Sequence, residues 1–394
     1  MTPLRIAMVT RRFWPLVGGA EMVMANLSQQ FLEQGARPVI LTAMWDPNWP
    51  TDLVHREVPV VRLPQPRTRG WGTWRYMRQL GRWLLGNRDQ YDVVFVSMLK
   101  HSAYTAINVG QKVGVPVLLR AEGAGQTGDC QWQETARFGG RIRARCQQAS
   151  GVVAASQQIA DELVAAGYHA DRVHSLSNGV MLGNARTETI REEARKTLAE
   201  VNASLQLEAD AKLVVFTGRL DRNKGLLDLV DAWAEVEKGE PNSRLWLIGN
   251  GPDRDLIFER VHQRGLRDSI LLPGSFDHVD VILQAADLFV LPSYAEGLSL
   301  SLLEAMAQHL PVVASDIAGN RQLVDDQVHG RLALAHDSPA LARAILAGLA
   351  EQGASTEMAE AAFQRVSQSY SLEKMASGHM DLFRQALSDF NPHA

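Results

Sequence analysis

Short apolar, β-branched runs alternate along the chain with longer stretches whose apolar positions recur every three to four residues. In the first half the runs fall at 5–10, 38–42, 58–63, 92–97, 116–121, 151–156 and 173–177. In the second half they fall at 212–217, 244–249, 269–272, 288–291, 311–315 and 331–334. Several are apolar without alternation, the pattern of strands covered on both faces. Helical patterns lie between most of them, so each half predicts an α/β, doubly wound parallel sheet. The boundary falls near 178–186. It separates an N-terminal Rossmann-like domain over 1–180 from a C-terminal one over 181–370, and 371–394 reads as a terminal helical tail. The polar segment 186–207 has a helical pattern and leads into the second sheet. The only repetition is architectural: strand, Gly-rich turn, helix, in both halves. The space between two such domains predicts a ligand site, because strand C-termini and helix N-termini converge there.

Composition narrows this picture little. A chain of 394 residues with 46% hydrophobic and 21% charged residues reads as a soluble globular protein of two domains. Two cysteines, Cys130 and Cys146, imply no disulfide framework, and a reducing compartment fits. There is no signal-peptide pattern and no apolar run of about 18 residues, so a cytoplasmic location is expected. Charge adds more. The net charge of −4 is unevenly spread: residues 1–180 carry 20 Lys and Arg against 13 Asp and Glu, a balance of +7, and the remainder carries 20 against 31, a balance of −11. A basic first half suits anionic phosphates or a membrane surface; compositional drift between domains is the plain alternative.

Four motifs carry candidate chemistry. Gly18-Gly19-Ala20-Glu21 follows the first strand and opens a helix from about residue 21. Glycines allow close backbone approach, and the free N–H groups of a helix start favour an anion; a structural turn explains the pair equally well. Gly218-Arg219-Leu220-Asp221-Arg222-Asn223-Lys224-Gly225 follows the first strand of the second half. Arg219 and Lys224 there are two cations of the kind a diphosphate needs, the alternative being surface solvation. Ile248-Gly249-Asn250-Gly251-Pro252 ends the next strand, where Gly249 shapes the turn. The strongest is Pro292-Ser293-Tyr294-Ala295-Glu296-Gly297-Leu298-Ser299-Leu300-Ser301-Leu302-Leu303-Glu304-Ala305. Glu296 precedes a helix start and Glu304 is expected about two turns into it. Carboxylates accept pairs of hydroxyl hydrogens, and the amides of Gly297, Leu298, Ser299 and Leu300 are free for a phosphate or sugar. A capping glutamate followed by a solvated one is the alternative.

Taken in order, GGAE, GRLDRNKG, IGNGP and PSYAEGLSLSLLEAMA resemble the retaining GT-B glycosyltransferases of family 4. Ala155-Ser156 and Asn178-Gly179-Val180 resemble that family's interdomain segment, and residues 311–326 resemble the strand and turn after its glutamate motif. The resemblance covers most of residues 1–335. It implies a GT-B fold, two Rossmann-like domains facing across a cleft, with the tail from 371 crossing back to the first. It implies transfer of a sugar from a nucleotide diphosphate, UDP- or GDP-linked, to an acceptor hydroxyl with retention. The Gly18 and Gly19 backbone would approach the donor; Gly218, Arg219 and Lys224 would hold the diphosphate. Glu296 would hold sugar hydroxyls and Glu304 the ribose. Gly249 and Gly274 line the same site, with the base near 273–276. Arg219, Lys224 and Glu296 are thus the expected catalytic residues. No cofactor beyond the donor is expected. No metal is expected either, since no His/Asp cluster with ligand spacing stands out.

The acceptor side is less legible. Many members place a histidine after the fifth strand of the first domain. Here that strand runs into Leu119-Arg120-Ala121-Glu122-Gly123, so Glu122, or His101 after the preceding strand, is the candidate for a sugar or acceptor contact. Segment 67–88 interleaves Arg67, Arg69, Arg75, Arg78, Arg82 and Arg88 with Trp71, Trp74, Tyr76 and Trp83. Trp74, Met77 and Leu84 are expected to share one helical face. Such a segment suits an anionic membrane surface, at the inner face of a membrane, or a glycan or lipid-linked acceptor; a core-packed helix with a solvated basic face is the alternative. A sugar-nucleotide-binding protein without catalysis, or another GT-B enzyme such as an epimerase, are the competing functions. Nucleic acid is not an expected partner, because the ligand motifs lie in the acidic half.

Overall fold

The computed structural model describes residues 3–16, 18–65, 71–125, 128–276 and 279–390. The chain divides into two compact units, one of Met1–Gly179 with Leu372–Ala394 and the other of Val180–Ser371.

The first unit is built on an eight-stranded sheet: β1 (Arg5–Val9), β2 (Arg37–Met44), β3 (Asp52–His55), β4 (Val58–Pro64), β5 (Val93–Ser97), β6 (Val117–Ala121), β7 (Gly151–Ala154) and β8 (Val173–Ser175). Their order is β3-β4-β2-β1-β5-β6-β7-β8. Ile6, Ala7, Met8 and Val9 of β1 and Val93 to Val96 of β5 are essentially inaccessible, as strands covered by helices on both faces must be. One strand departs from the expected all-parallel sheet. β3 is antiparallel to β4, and His55 pairs with Val58 across a two-residue turn. Arg56 and Glu57 in that turn both have positive φ, 48° and 66°. This is the tight hairpin geometry usually marked by Asn-Gly; Arg-Glu gives no such mark, so the strand is invisible in the sequence.

The second unit is a six-stranded parallel sheet: β9 (Lys212–Thr217), β10 (Ser243–Ile248), β11 (Ile270–Gly274), β12 (Leu288–Leu291), β13 (Val312–Ser315) and β14 (Arg331–Ala333). The order is β11-β10-β9-β12-β13-β14. In each sheet the chain winds outward in one direction and then in the other. The reversal leaves a crevice at the C-terminal ends of β1 and β5, and another at those of β9 and β12.

The helix Leu372–Asp389 belongs to the first unit. Its Phe383 ring lies 5.4 Å from Phe31 of the helix Gly19–Glu33 and 5.3 Å from Phe95 of β5. The helix Trp71–Gly86 corrects an expectation. Its buried face is Gly72, Tyr76, Leu80 and Leu84, repeating every four residues, while Trp71 and Trp74 stand at the surface. Arg67 and Arg69 lie outside the described residues. Arg88 is a tether rather than a surface cation: it donates to the carbonyls of Tyr91, Val113 and Gly114.

Phe383 is fully buried among aromatic rings, so Phe383→Ala leaves a cavity costing ~3–5 kcal/mol. Chemical denaturation checks this. A loss under 1 kcal/mol would show that the terminal helix is not packed as described.

Candidate functional site

The crevice of the second unit is formed by the loops leaving β9 and β12. After β9 the chain makes a short turn, Arg222–Lys224, capped by Asp221, whose carboxylate accepts from Asn223 N–H at 3.1 Å. Gly225 ends the turn with φ 63° and starts the helix Leu226–Gly239. A Cβ on Gly225 would stand 2.0 Å from the carbonyl oxygen of Pro292, so only glycine lets this turn lie on the loop after β12. Tyr294 N–H completes the contact by donating to Asn223 O at 2.7 Å.

This packing brings Lys224 to Glu296. Lys224 Nζ donates to Glu296 Oε1 at 2.6 Å, and Ser293 Oγ donates to the same oxygen at 2.6 Å. Both charged side chains are mostly buried, 21% and 11% exposed, so the pair is charge-assisted and short. Among the described residues no donor reaches Glu296 Oε2. The Glu296 loop is in turn held close by Gly319, where a Cβ would stand 2.2 Å from Glu296 O.

The floor of the crevice is a row of glycines at the ends of three adjacent strands. Gly218, Gly249 and Gly274 follow or end β9, β10 and β11 with φ of 151°, 138° and 97°. Gly249 N–H donates to Gly274 O at 2.8 Å, and a Cβ on Gly249 would stand 1.8 Å from Gly218 O. These residues keep side chains out of the space above the strand ends.

Beyond Glu296 the helix Leu300–Ala307 is capped by Ser299, whose Oγ accepts from Leu302 N–H at 3.3 Å. Glu304 is the fifth residue of that helix, so it lies one turn in rather than two. Its carboxyl makes no hydrogen bond or ion pair among the described residues. Burial first, and the negative charge of Asp280 second, push it up to about 7. An unpartnered carboxyl in such a place is a ready acceptor for ligand hydroxyls.

Arg219 is placed differently from Lys224. It is 71% exposed and lies 3.7 Å from Asp221, so the loop presents it to solvent. The sequence also contains one Asp-x-Asp triplet, Asp253-Arg254-Asp255, which bears on the metal expectation. Asp253 lies 3.6 Å from Arg222. No group of three or more His, Cys, Asp or Glu among the described residues is arranged to hold a metal ion.

In the first unit, Gly18 is the extended N-cap of the helix Gly19–Glu33 and contributes no side-chain cap. Glu21 folds back over it: a Cβ on Gly18 would stand 2.5 Å from Glu21 Oε2. The helix start read as an anion cradle therefore already carries a carboxylate, and Arg12 lies 3.9 Å from it. Glu122 is turned inward. Ser97 Oγ donates to its Oε1 at 2.9 Å and Arg120 Nε lies 3.3 Å away, with both side chains buried. Burial raises its pKa, against the pull of Arg120. The Ser97 and Arg120 contacts are both made by Oε1, on the inward side of the carboxylate. His101 begins the helix His101–Val113 with its ring edge-on to Trp132, 5.3 Å between centroids. Burial, with Arg11 and Lys100 nearby, lowers its pKa.

The sequence reading gave no role to Ser293, Gly225 or Gly319. Gly225 stands in the segment 218–225 and Gly319 in 311–326, but the need for glycine appears only when the opposing loop is in place. Tyr294 was likewise unassigned; its hydroxyl donates to Asp228 at 2.8 Å and its ring stacks on His336 at 3.8 Å.

Comparison with known proteins sets this geometry in context. Residues 17–183 match the family described as Glycosyltransferase Family 4, and residues 211–351 match that described as Glycosyl transferases group 1. Over 218 residues the chain is 28% identical to the alpha-D-kanosaminyltransferase of Streptomyces kanamyceticus, covering 55% of each protein. The chain spans about half the length of several curated relatives that it matches. Its fold is similar to that of sucrose-phosphate synthase from Thermosynechococcus elongatus, with a TM-score of 0.78, 23% identity, and 98% and 99% of the two chains covered. It is also similar to Anabaena HepE in complex with UDP and glucose, with a TM-score of 0.76, 18% identity, and 97% and 100% covered. Two Rossmann-like sheets in one chain are the GT-B architecture.

The carboxyl of Glu304 yields a stability prediction. It keeps its proton to about pH 7 in the folded chain, against an ordinary 4.5. Its contribution is therefore fully present below about pH 4.5 and is lost as pH rises through about 7. Glu304→Gln removes this loss, so the melting temperature of the ligand-free variant minus that of the wild type rises between pH 5 and pH 8. A difference that stays flat across that range would show that the carboxyl titrates normally.

Proposed function

The chain belongs to the family 4 and group 1 glycosyltransferases, whose descriptions between them cover residues 17–183 and 211–351, and on that premise we propose that it transfers a sugar from a nucleoside diphosphate to an acceptor hydroxyl with retention of configuration. The observation that carries the proposal is the Lys224–Glu296–Ser293 cluster at the strand-order reversal of the second unit, with the unpartnered Glu304 one helical turn beyond.

The chemistry asked of these residues is limited and physical. The bond between the anomeric carbon and the phosphate oxygen breaks, and positive charge develops on the sugar. The acceptor oxygen bonds to the same face, and its proton passes to the departing phosphate oxygen. Lys224 neutralises charge growing on the leaving diphosphate, and Arg219 on its exposed loop closes on the same group. Amides at the start of the helix Leu300–Ala307 add fixed dipoles. One preorganised donor of this kind is typically worth about 10²–10³ in rate. Glu296 Oε2 accepts a sugar hydroxyl while Oε1 stays on Lys224, so one carboxylate couples sugar position to diphosphate position. Glu304 accepts the ribose hydroxyls and ionises as they arrive. Lysine, arginine and helix dipoles do the work of a divalent cation, so the reaction is proposed to run without one.

The donor is proposed to be UDP- or GDP-linked, with UDP, which HepE holds, the first to test, and a hexose the first sugar. The acceptor is proposed to be a glycan or lipid-linked molecule in polysaccharide or glycolipid assembly, met at the cytoplasmic face of a membrane. No helix among the described residues is long and apolar enough to cross a membrane. The exposed arginines of the helix Trp71–Gly86 would supply peripheral attachment.

The test is release of nucleoside diphosphate from a panel of UDP-, GDP- and ADP-sugars. The expected result is turnover with one donor, unchanged within twofold by EDTA. Lys224→Ala is expected to lose two or more decades of turnover while remaining folded, with a lower melting temperature because Glu296 loses its partner. A binder without catalysis would release no diphosphate, and near-wild-type turnover in Lys224→Ala would remove that residue from the reaction.

A further inference from the structure

A recess of about 370 Å³ opens in the first unit beside the C-terminal ends of β1 and β5: Thr73 in its wall accepts from Arg11, which follows β1, and His101 follows β5. Its wall comes from two helices, Trp71–Gly86 and Gly139–Cys146, with the start of the helix His101–Val113 at the back. Trp74, Met77, Tyr104, Phe138 and Ile142 make the wall mostly apolar, and Arg141 stands among them. His101 lines the same recess with its pKa lowered, so it adds no charge there near neutral pH. Trp74 and Phe138 are half exposed, and Trp71, further out on the helix, is more so. Exposed aromatic side chains grouped around a concavity mark a binding surface rather than ordinary scatter.

The charge around it is one-sided. Arg75, Arg78, Arg82, Arg137 and Arg141 are exposed, and among the described residues none of them is paired with a carboxylate. The one arginine nearby that is paired, Arg143, uses Glu134. Three guanidiniums lie over the faces of the lining rings: Arg78 over Trp74, Arg137 over Phe138 and Arg145 over Tyr104, at 5.3 to 5.9 Å from the ring centroids. The cations are thus held at the rim by the same aromatic groups that form the wall.

A neutral apolar partner would leave these cations uncompensated. A small soluble anion would leave Trp74 and Phe138 in water. A flat bilayer surface meets the rim but does not fill a recess. We infer that the recess holds the hydrocarbon chain of an anionic amphiphile, the lipid carrier of a lipid-linked acceptor, with its phosphate on Arg141. That the amphiphile is the acceptor rests on the glycosyl-transfer reading above; that the recess takes a chain with an anionic head does not.

The experiment uses the full chain and hexyl, octyl, decyl and dodecyl phosphate, each below its micelle concentration. Binding is followed by calorimetry and by the change in tryptophan fluorescence that is lost in Trp74→Phe. One-to-one binding is expected, with Kd falling about fourfold per methylene until the recess is full. Dodecyl maltoside, which shares the chain but not the charge, is expected to bind at least tenfold more weakly, and inorganic phosphate weakly or not at all. Phe138→Asp is expected to weaken every chain length. Phe138 is 52% exposed, so the substitution removes no core packing and the variant is expected to fold. Arg141→Ala is expected to weaken dodecyl phosphate and leave dodecyl maltoside unchanged. A Kd independent of chain length, variants that bind like the wild type, or binding to phosphatidylglycerol vesicles without binding to monomeric dodecyl phosphate would each overturn the inference. UDP and GDP are titrated separately into the wild-type protein. Nucleotide binding without alkyl phosphate binding defeats only the recess. Alkyl phosphate binding without nucleotide binding defeats the donor reading and leaves the recess standing.

Discussion

Backbone-on-backbone contact between loops is the constraint on which the second unit's site depends. Gly225 lies against Pro292 O, Gly249 against Gly218 O, Gly251 against Leu220 O and Gly319 against Glu296 O, each where a Cβ would come within 2.2 Å of a carbonyl oxygen. Four loops, after β9, β10, β12 and β13, are thereby locked edge to edge. Lys224 and Glu296 are 72 residues apart in sequence and meet only because this stack exists. A lysine on a mobile loop would sample many positions and lose much of its electrostatic value to reorganisation, whereas a fixed one does not. On the proposed reading the glycines serve the chemistry by fixing Lys224 against Glu296.

The first unit solves a similar problem with buried polar groups. Arg120 is fully buried at the end of β6. It contacts Glu122, Asn178 and Nε2 of His379, the last at 3.4 Å. His379 donates through Nδ1 to Met375 O at 2.7 Å, which leaves Nε2 as an acceptor for Arg120. Burial and the neighbouring guanidinium push this imidazole down to about 3, so it is neutral at every ordinary pH. Asp129 joins the cluster by accepting from Leu99 N–H at 3.2 Å and Glu122 N–H at 3.0 Å, which ties the loops after β5 and β6 together. Buried charges of this kind contribute little net stability. Their effect is to fix which conformer the loops adopt and where the terminal helix docks.

Most of the architecture was legible because it rests on local pattern. Runs such as Val93 to Val96 and Leu288 to Leu291 are apolar on both faces and read as buried parallel strands. β3 escaped because its hairpin turn uses Arg56 and Glu57 in a conformation their identities do not signal. The helix Trp71–Gly86 was legible, but which of its faces is buried was not. Periodicity permits several apolar stripes, and only the sheet beneath it selects the one through Tyr76 and Leu80. The site divides in the same way. Lys224, Glu296 and Glu304 stood out as charged residues in a Gly-rich context after strands. Their partners did not, because Ser293, Gly225 and Gly319 gain meaning only from long-range contact. The inward turn of Glu122 was also unreadable, since it depends on Ser97 and Arg120 from neighbouring strands. The helix of Glu304 starts at Leu300, capped by Ser299, a boundary that sequence fixes only to within a turn.

The central claim is that the crevice of the second unit is built for a diphosphate, with Lys224 reading the second phosphate. Calorimetric titration of the full chain with UDP and UMP, or with GDP and GMP if the base is guanine, tests it most directly. The diphosphate should bind at least tenfold more tightly than the monophosphate, and Lys224→Ala should abolish most of that difference while leaving monophosphate binding intact. Equal affinity for the two nucleotides in the wild type, or a preference that survives in Lys224→Ala, would contradict it.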